Sequence, residues 1–359
     1  MTTRRAFVPD NPSTKNSKFG MKNDIWLVRL VRLFSIAVIA TAQPLFAAAL
    51  APQPPVELPN THGKFDFIKV DSARGRLLAC HTGNGSLDVI DESTSKLLKS
   101  IPTGNAQGVA IDDKGGRYFV SVSKPPQLVI IDAVKLEATG TVTLSGPADV
   151  CAYSATLNRV AVDNDEKPEQ WIIDPDAKKI VQDITYPGSG MEDLCFDATG
   201  TLIFQNLKDS DEVVESDPIT GKIKGHWATA PASKPHGLAL IDGGDALAVA
   251  GGNGRLVVII TKQEKKNRIV VPGDIAPRVD EIAYDPDRFL IFAASGTGTI
   301  SIRTIIGTVL NVSGVQNAGD VPSSPGAHSI AVDPKTRTVW IAFAKDDKAY
   351  VQSFLESGH

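Results

Sequence analysis

From residue 60 onward the apolar residues come in short runs, which alternate with polar positions and break at Gly, Asn, Asp or Pro. Leu128-Val129-Ile130-Ile131-Asp132 and Arg255-Leu256-Val257-Val258-Ile259-Ile260 are typical. Runs of this length between turn residues predict strands. Turn signals stand at Gly83-Asn84-Gly85, Lys114-Gly115-Gly116, Ala198-Thr199-Gly200, Asp242-Gly243-Gly244 and Asp285-Pro286-Asp287. After residue 51 no segment of helical period exceeds a few residues.

The runs themselves recur. A strand ending near Asp opens most copies: Ile-Lys-Val-Asp71, Val-Ala-Ile-Asp112, Leu-Cys-Phe-Asp197, Ile-Ala-Tyr-Asp285 and Ile-Ala-Val-Asp333. Weaker copies end at Ser154 and Ile241, so seven copies follow one another at steps of 41 to 48 residues. A second landmark, Val-Ile-Asp91, Ile-Ile-Asp132, Ile-Ile-Asp174, Glu-Ser-Asp217 and Ile-Ile-Thr261, keeps the same rhythm. A period near 40 residues made only of strands and turns predicts an all-β fold, a seven-bladed β-propeller of four-stranded antiparallel blades. The copies span approximately 64–106, 107–148, 149–191, 192–235, 236–279, 280–327 and 328–356. The seventh is the shortest and lacks material for an outer strand. A ring left open there would expose a sheet edge and an apolar face, so a strand from near Val56 to His62 is expected to join the last blade and close the circle.

Charge divides the chain in two. The first 51 residues hold seven Lys or Arg against two acidic residues, and removing that surplus from the formal −4 leaves about −9 for the repeats. An acidic balance disfavours a broad phosphate footprint and with it a nucleic-acid partner. Lys22, Arg29 and Arg32 precede an apolar stretch running from Leu33 to Ala51, with small residues at Ala47, Ala49 and Ala51. That is the pattern of a cleavable export signal, cut after Ala49 or Ala51, with Met1 or Met21 as the start. Gln43 and Pro44 interrupt the run, so no stable membrane span is expected after cleavage. The expected organisation is therefore a polar extension plus signal over 1–51, a Pro-rich linker over 52–60 and the propeller over 61–359, in a periplasmic or secreted bacterial protein. A monomer is expected.

Three cysteines, Cys80, Cys151 and Cys195, are too few and too odd in number for a disulfide framework. Cys151 and Cys195 align with Ile68, Val109, Leu238, Ile282 and Ile330, a buried position on the inner strand. Small core side chains are the expected reading.

In a propeller, the residues just before each inner strand converge on one end of the central channel. Aligning the copies gives that ring as Asp66, Gln107, Asp149, Glu192, His236, Asp280 and His328. Four are carboxylates and two are imidazoles. Crowded carboxylates repel, so either a cation enters or some protonate. A solvated opening is the ordinary alternative. The turns after the second strands open on the same face and bring His81, Asp163, Asn164, Asn206 and Lys208 as further ligand-binding candidates. Asn and Asp are also common in turns for purely local reasons.

The phrase Asp112-Asp113-Lys114-Gly115-Gly116-Arg117-Tyr118-Phe119-Val120, followed by Val129-Ile130-Ile131-Asp132, resembles the YVTN-type, YncE-like seven-bladed propeller repeat over about 300 residues. The Tyr-Val-Thr-Asn tetrapeptide itself is absent. In placement, the ring is similar to the top-face metal sites of gluconolactonase-type and streptogramin-lyase-type propellers, in which a divalent ion polarises a carbonyl oxygen. That likeness implies a cation (Ca, Mg, Mn or Zn) held by Asp149, Glu192 and His236. His236, His328, Glu192 or Asp280 would then supply acid–base groups.

Several chemistries are excluded by what the sequence lacks. There is no P-loop, no nucleophile elbow, no Cys-x-x-Cys-His, and no vicinal cysteine pair with a tryptophan repeat, so no nucleotide, haem or quinone is expected. The function expected is an exported propeller that binds a small molecule or an envelope protein at an acidic, His-lined mouth. The alternatives are a metal-assisted lactonase, hydrolase or lyase and, less favoured, a binder of single-stranded nucleic acid as in some YncE-like relatives.

Overall fold

The structure, a computed structural model, describes residues 50–241, 246–261, 268–308 and 311–356. The Asp242-Gly243-Gly244 turn, and nearly all of the export signal, lie outside the described residues.

Six antiparallel four-stranded sheets follow one another along the chain, and a seventh combines both ends of the described sequence. The protein is a seven-bladed β-propeller. The inner strands are Ile68–Asp71, Ala106–Asp112, Ala148–Ser154, Met191–Phe196, Pro235–Ile241, Val279–Asp285 and Ser329–Asp333, for blades 1 to 7.

Both Asp landmarks have one physical cause. The Asp ending the third strand of blades 1 to 4 accepts backbone N–H groups from the hairpin beyond it. Asp132 takes those of Val134 (2.8 Å) and Lys135 (2.9 Å), and Asp174 takes those of Asp176 (3.0 Å) and Ala177 (2.9 Å). The Asp ending the inner strand of blades 1, 2, 6 and 7 does the same one hairpin earlier. Gly115 donates to Asp112 at 2.8 Å, and where the repeat carries Ser154, its hydroxyl accepts from Leu157 at 3.1 Å. Such Asx-type turns fix hairpin geometry, which is why the residue recurs.

The core lies between blades. Seven apolar clusters fill the seven seams between neighbouring sheets. The seam joining blade 7 to blade 1 packs Ala331, Trp340 and Val351 on Ile68, Leu77 and Ile90. An apolar seam there, as between every other pair, means the circle is closed by burial as well as by strand pairing.

The closing strand begins earlier than expected. Leu50–Pro52 pairs antiparallel with the last strand, Lys348–Glu356, through Leu50 opposite Glu356 and Pro52 opposite Phe354. A second short piece, Val56–Glu57, continues the pairing opposite Val351 and Tyr350. Pro54 and Pro55 have no N–H to give, so the ladder breaks between the two pieces. Much of the stretch read as a linker is thus the edge of blade 7. Leu50 is buried in the seam between blades 6 and 7, beside Phe292, Ile330 and Phe354.

Cys195 differs from its expected place. It pairs with Phe204, one residue past Leu194, which holds the core position that Cys151 has in blade 3. Cys195 therefore shares its level with Lys69, Ala110, Ala152, Ala239, Ala283 and Ala331, and lines the channel partly exposed.

Candidate functional site

Each inner strand starts at the same end of the channel, so one repeat position delivers one side chain per blade. Asp66, Gln107, Asp149, Glu192, His236, Asp280 and His328 are all partly buried there. Ligand atoms of Glu192, His236 and Asp280, from blades 4, 5 and 6, lie within 4.8 Å of one another. This compact set takes Asp280 where the sequence grouping had Asp149.

The charges in the mouth are unevenly settled. His328 Nδ1 meets Asp280 Oδ2 at 2.8 Å. This contact raises the His328 pKa against burial and lowers that of Asp280, although burial pushes the carboxyl up, so the two form an imidazolium–carboxylate pair. Lys208 ion-pairs with Glu192, and His236 Nε2 stands 3.8 Å from the same carboxylate. Burial still raises the Glu192 pKa, with His236 and Lys208 opposing. Among the described residues no ion pair engages Asp66 or Asp149, although the charges of His328 and Lys64 act on Asp66 from further off. Burial, then the Asp280 charge, pushes Asp66 to about 7, and burial with Asp66 and Glu192 pushes Asp149 well up.

One hydrogen bond decides what His236 offers. Its Nδ1 lies 2.7 Å from the carbonyl oxygen of Lys234, which accepts only from an N–H. Nδ1 is therefore the donor in this contact, and Nε2 is the ring nitrogen that faces Glu192. A backbone carbonyl holding one ring nitrogen while the other is free is the usual support of a metal-binding imidazole.

The remaining sequence candidates divide by position. Gln107 is turned sideways, donating to Ser123 at 2.9 Å and accepting from Thr82 at 3.2 Å. His81 is fully buried, with Nδ1 on Asp88 (2.7 Å), Nε2 on the Gly63 carbonyl (3.2 Å) and its ring stacked on Phe65. A Cβ on Gly83 would lie 2.7 Å from the Gly63 Cα, so two glycines let the entering chain cross blade 1 at this point. Asn164 caps its own turn, accepting from Glu166 at 3.0 Å. Asp163 accepts from Gln170 at 2.7 Å inside the seam between blades 3 and 4, and its other oxygen is buried without a partner. Asn206 donates to the His236 carbonyl at 2.8 Å, and Gln205 to that of Glu192 at 2.7 Å. These two amides hold the backbone of two cluster residues. Lys208 alone of this outer group reaches the ring directly.

A second charged level lies just inside, and the sequence reading passed over it. Asp193 and Glu281, next to Glu192 and Asp280, are almost fully buried. Asp193 accepts the N–H of Leu194 (2.9 Å) and Leu238 (3.0 Å), and Glu281 those of Ile330 (3.0 Å) and Ile68 (3.4 Å). They stitch neighbouring inner strands together. Burial raises the Asp193 pKa to about 6 and holds that of Glu281 well above its ordinary value. Burial opposes the charge on Lys69, yet Asp193 and Glu281 keep its pKa above the ordinary value. The signal was present in the doublets Glu192-Asp193 and Asp280-Glu281, where the other copies have an uncharged second residue.

Solved structures share this architecture. A chain of the Kuenenia stuttgartiensis hydrazine synthase superposes with TM-score 0.69 at 14% identity, covering 84% of this chain and 99% of that one. A chain of the mitotic checkpoint complex gives TM-score 0.72 at 13% identity, covering 96% and 99%. The likeness is one of fold alone. No family model and no curated protein matches the sequence.

Proposed function

We propose that the protein is an exported binding propeller of the YVTN type, whose mouth takes a small ligand through a divalent cation held by Glu192, His236 and Asp280. The observation that carries this reading is geometric: with Nδ1 held on the Lys234 carbonyl, Nε2 faces Glu192, and ligand atoms of Glu192, His236 and Asp280 lie within 4.8 Å of one another. Imidazole with carboxylates suits Mn or Zn better than Ca or Mg. A bound cation would draw ligand oxygens and offset the carboxylate crowding at Asp66 and Asp149. Metal analysis of protein purified without chelator tests it. One ion per chain, lost in both Glu192→Ala and His236→Ala with unchanged melting, is the expected result. Absence of uptake at millimolar Mn or Zn would refute it.

The His328–Asp280 pair favours a second reading, a metal-assisted lactone hydrolase or lyase. A proton held by His328 beside the cation site is placed for transfer to a leaving oxygen. Turnover of lactones that vanishes in His328→Gln while the cation stays bound would favour it. Nucleic-acid binding is opposed by the carboxylates at the opening.

Export is supported by the basic and apolar pattern of residues 22–51. Cleavage after Ala49 leaves Leu50–Pro52 whole, whereas cleavage after Ala51 removes Leu50 from the seam it fills. Intact mass of the secreted protein should correspond to Leu50 as first residue. A mass starting at Pro52 would contradict that choice. The YVTN assignment rests on the Asp-x-x-Gly-Gly-Arg phrase at Asp112 and on the blade architecture.

A further inference from the structure

The mouth is acidic at its floor but cationic along one arc of its rim. Two residues before each ring residue stands a rim position, occupied by Lys64 in blade 1, Lys234 in blade 5 and Arg278 in blade 6. The other four blades carry uncharged residues there. The three cations flank blade 7, whose rim residue is Gly326, so they lie on one side of the opening.

The backbone there is tied down, whereas the side chains reach solvent with one contact among the described residues, from the Arg278 guanidinium to the Gly296 carbonyl at 3.3 Å. Gly252 donates to the Lys234 carbonyl and Gly296 to that of Arg278, each at 3.0 Å, and Arg278 donates to Gly252 at 3.1 Å. The Lys234 and Arg278 side chains are exposed, and among the described residues no ion pair engages either. Both residues line a cavity of about 470 Å³ together with His236 and Asp280 of the proposed cation set, His328, Val279 and glycines 252, 296 and 326. A Cβ at Gly326 would meet nothing within 4 Å. The volume lies within the range of small-ligand sites.

We propose that this cavity binds a small anion with two functional ends. One end places carboxylate or hydroxyl oxygens toward Glu192, His236 and Asp280 through the cation. The other carries a second carboxylate or a phosphate to Arg278 and Lys234. The guanidinium fork fits such a group bidentately. This inference rests on the cation reading above, which it refines by naming the ligand class.

Malate and glycolate separate the two claims, because both offer a hydroxycarboxylate and only malate has a second carboxylate. Calorimetric titration into Mn²⁺-loaded protein should show malate binding about tenfold or more tighter than glycolate, the worth of one charge-assisted contact. The Lys234→Gln/Arg278→Gln double variant should abolish that preference while Mn²⁺ affinity and melting temperature stay unchanged. Equal binding of the two acids, or a preference that survives in the double variant, overturns this inference and leaves the cation reading intact. Failure of Mn²⁺ to bind at all overturns both.

Discussion

The two ends of the propeller treat the same residue type in opposite ways. At the hairpin end, aspartates recur blade after blade and each is locally satisfied. Asp71, Asp112 and Asp285 accept turn N–H groups and ion-pair with Arg74, Arg117 and Arg288. At the mouth, the residue changes from blade to blade, and Asp66 and Asp149 are left facing other carboxyls with pKa values driven upward. A charge that repeats with its partner makes a turn. A charge that departs from the repeat is not tied to its own turn, and Glu192 and Asp280 instead meet Lys208 and His328 around the opening.

The contrast can be broken most forcefully at the cation cluster. Glu192→Gln and His236→Gln are each expected to weaken Mn²⁺ binding by about a hundredfold or more in calorimetric titration, with little change in melting in the presence of chelator. A large loss of stability instead would make the mouth a structural element like the hairpin end. Asp112→Ala should do the reverse. It removes the acceptor for Gly115 and Arg117 and should cost about 2 kcal/mol in denaturant unfolding, with cation affinity unaltered. Asp132→Ala, which loses only two exposed turn contacts, should lower the unfolding midpoint less than Asp112→Ala does.

The smallest effect is a pH dependence at the seam between blades 7 and 1. Glu92 accepts from Trp340 Nε1 at 2.9 Å, and burial with the Asp333 charge raises its pKa from 4.5 to about 7. A carboxyl whose folded pKa is raised binds more protons in the native state. Its contribution to stability is therefore present below about pH 4.5, declines as pH rises toward 7 and is gone above that. Glu92→Gln can keep the tryptophan contact and donate toward Asp333. It should raise the melting temperature at pH 8 and change it little at pH 4. An equal shift at both pH values would show that proton binding at Glu92 plays no part.

The repeat was readable because strand, turn and seam all demand the same residues at the same offsets. The Asp landmarks are turn acceptors, and five residues before each of them, and before Ser154 and Ile241 in the weaker copies, stands a ring residue. The closing strand was harder to delimit. Its Pro-rich composition reads as a linker, and only the unpaired edge of Lys348–Glu356 shows why Leu50–Pro52 and Val56–Glu57 are held. Cys195 was misplaced by one residue, and in a strand one residue is the difference between seam and channel. The ring position of His81 was equally invisible: its distance from the opening depends on Asp88, Phe65 and the carbonyl of Gly63, which no local pattern announces. Asp193 and Glu281 were hidden beside louder neighbours. Their role is set by the N–H groups of other blades, which become adjacent only when the circle closes.

Electron spin echo spectroscopy of the Mn²⁺-loaded protein tests the central claim most directly, because it detects nitrogen bound to the metal. The account predicts modulation from one imidazole nitrogen, Nε2 of His236, and its disappearance in His236→Gln protein that still binds Mn²⁺ weakly through its carboxylates. A Mn²⁺ signal without nitrogen coupling in the unmodified protein, or one unchanged by that substitution, would place the ion elsewhere and contradict the account.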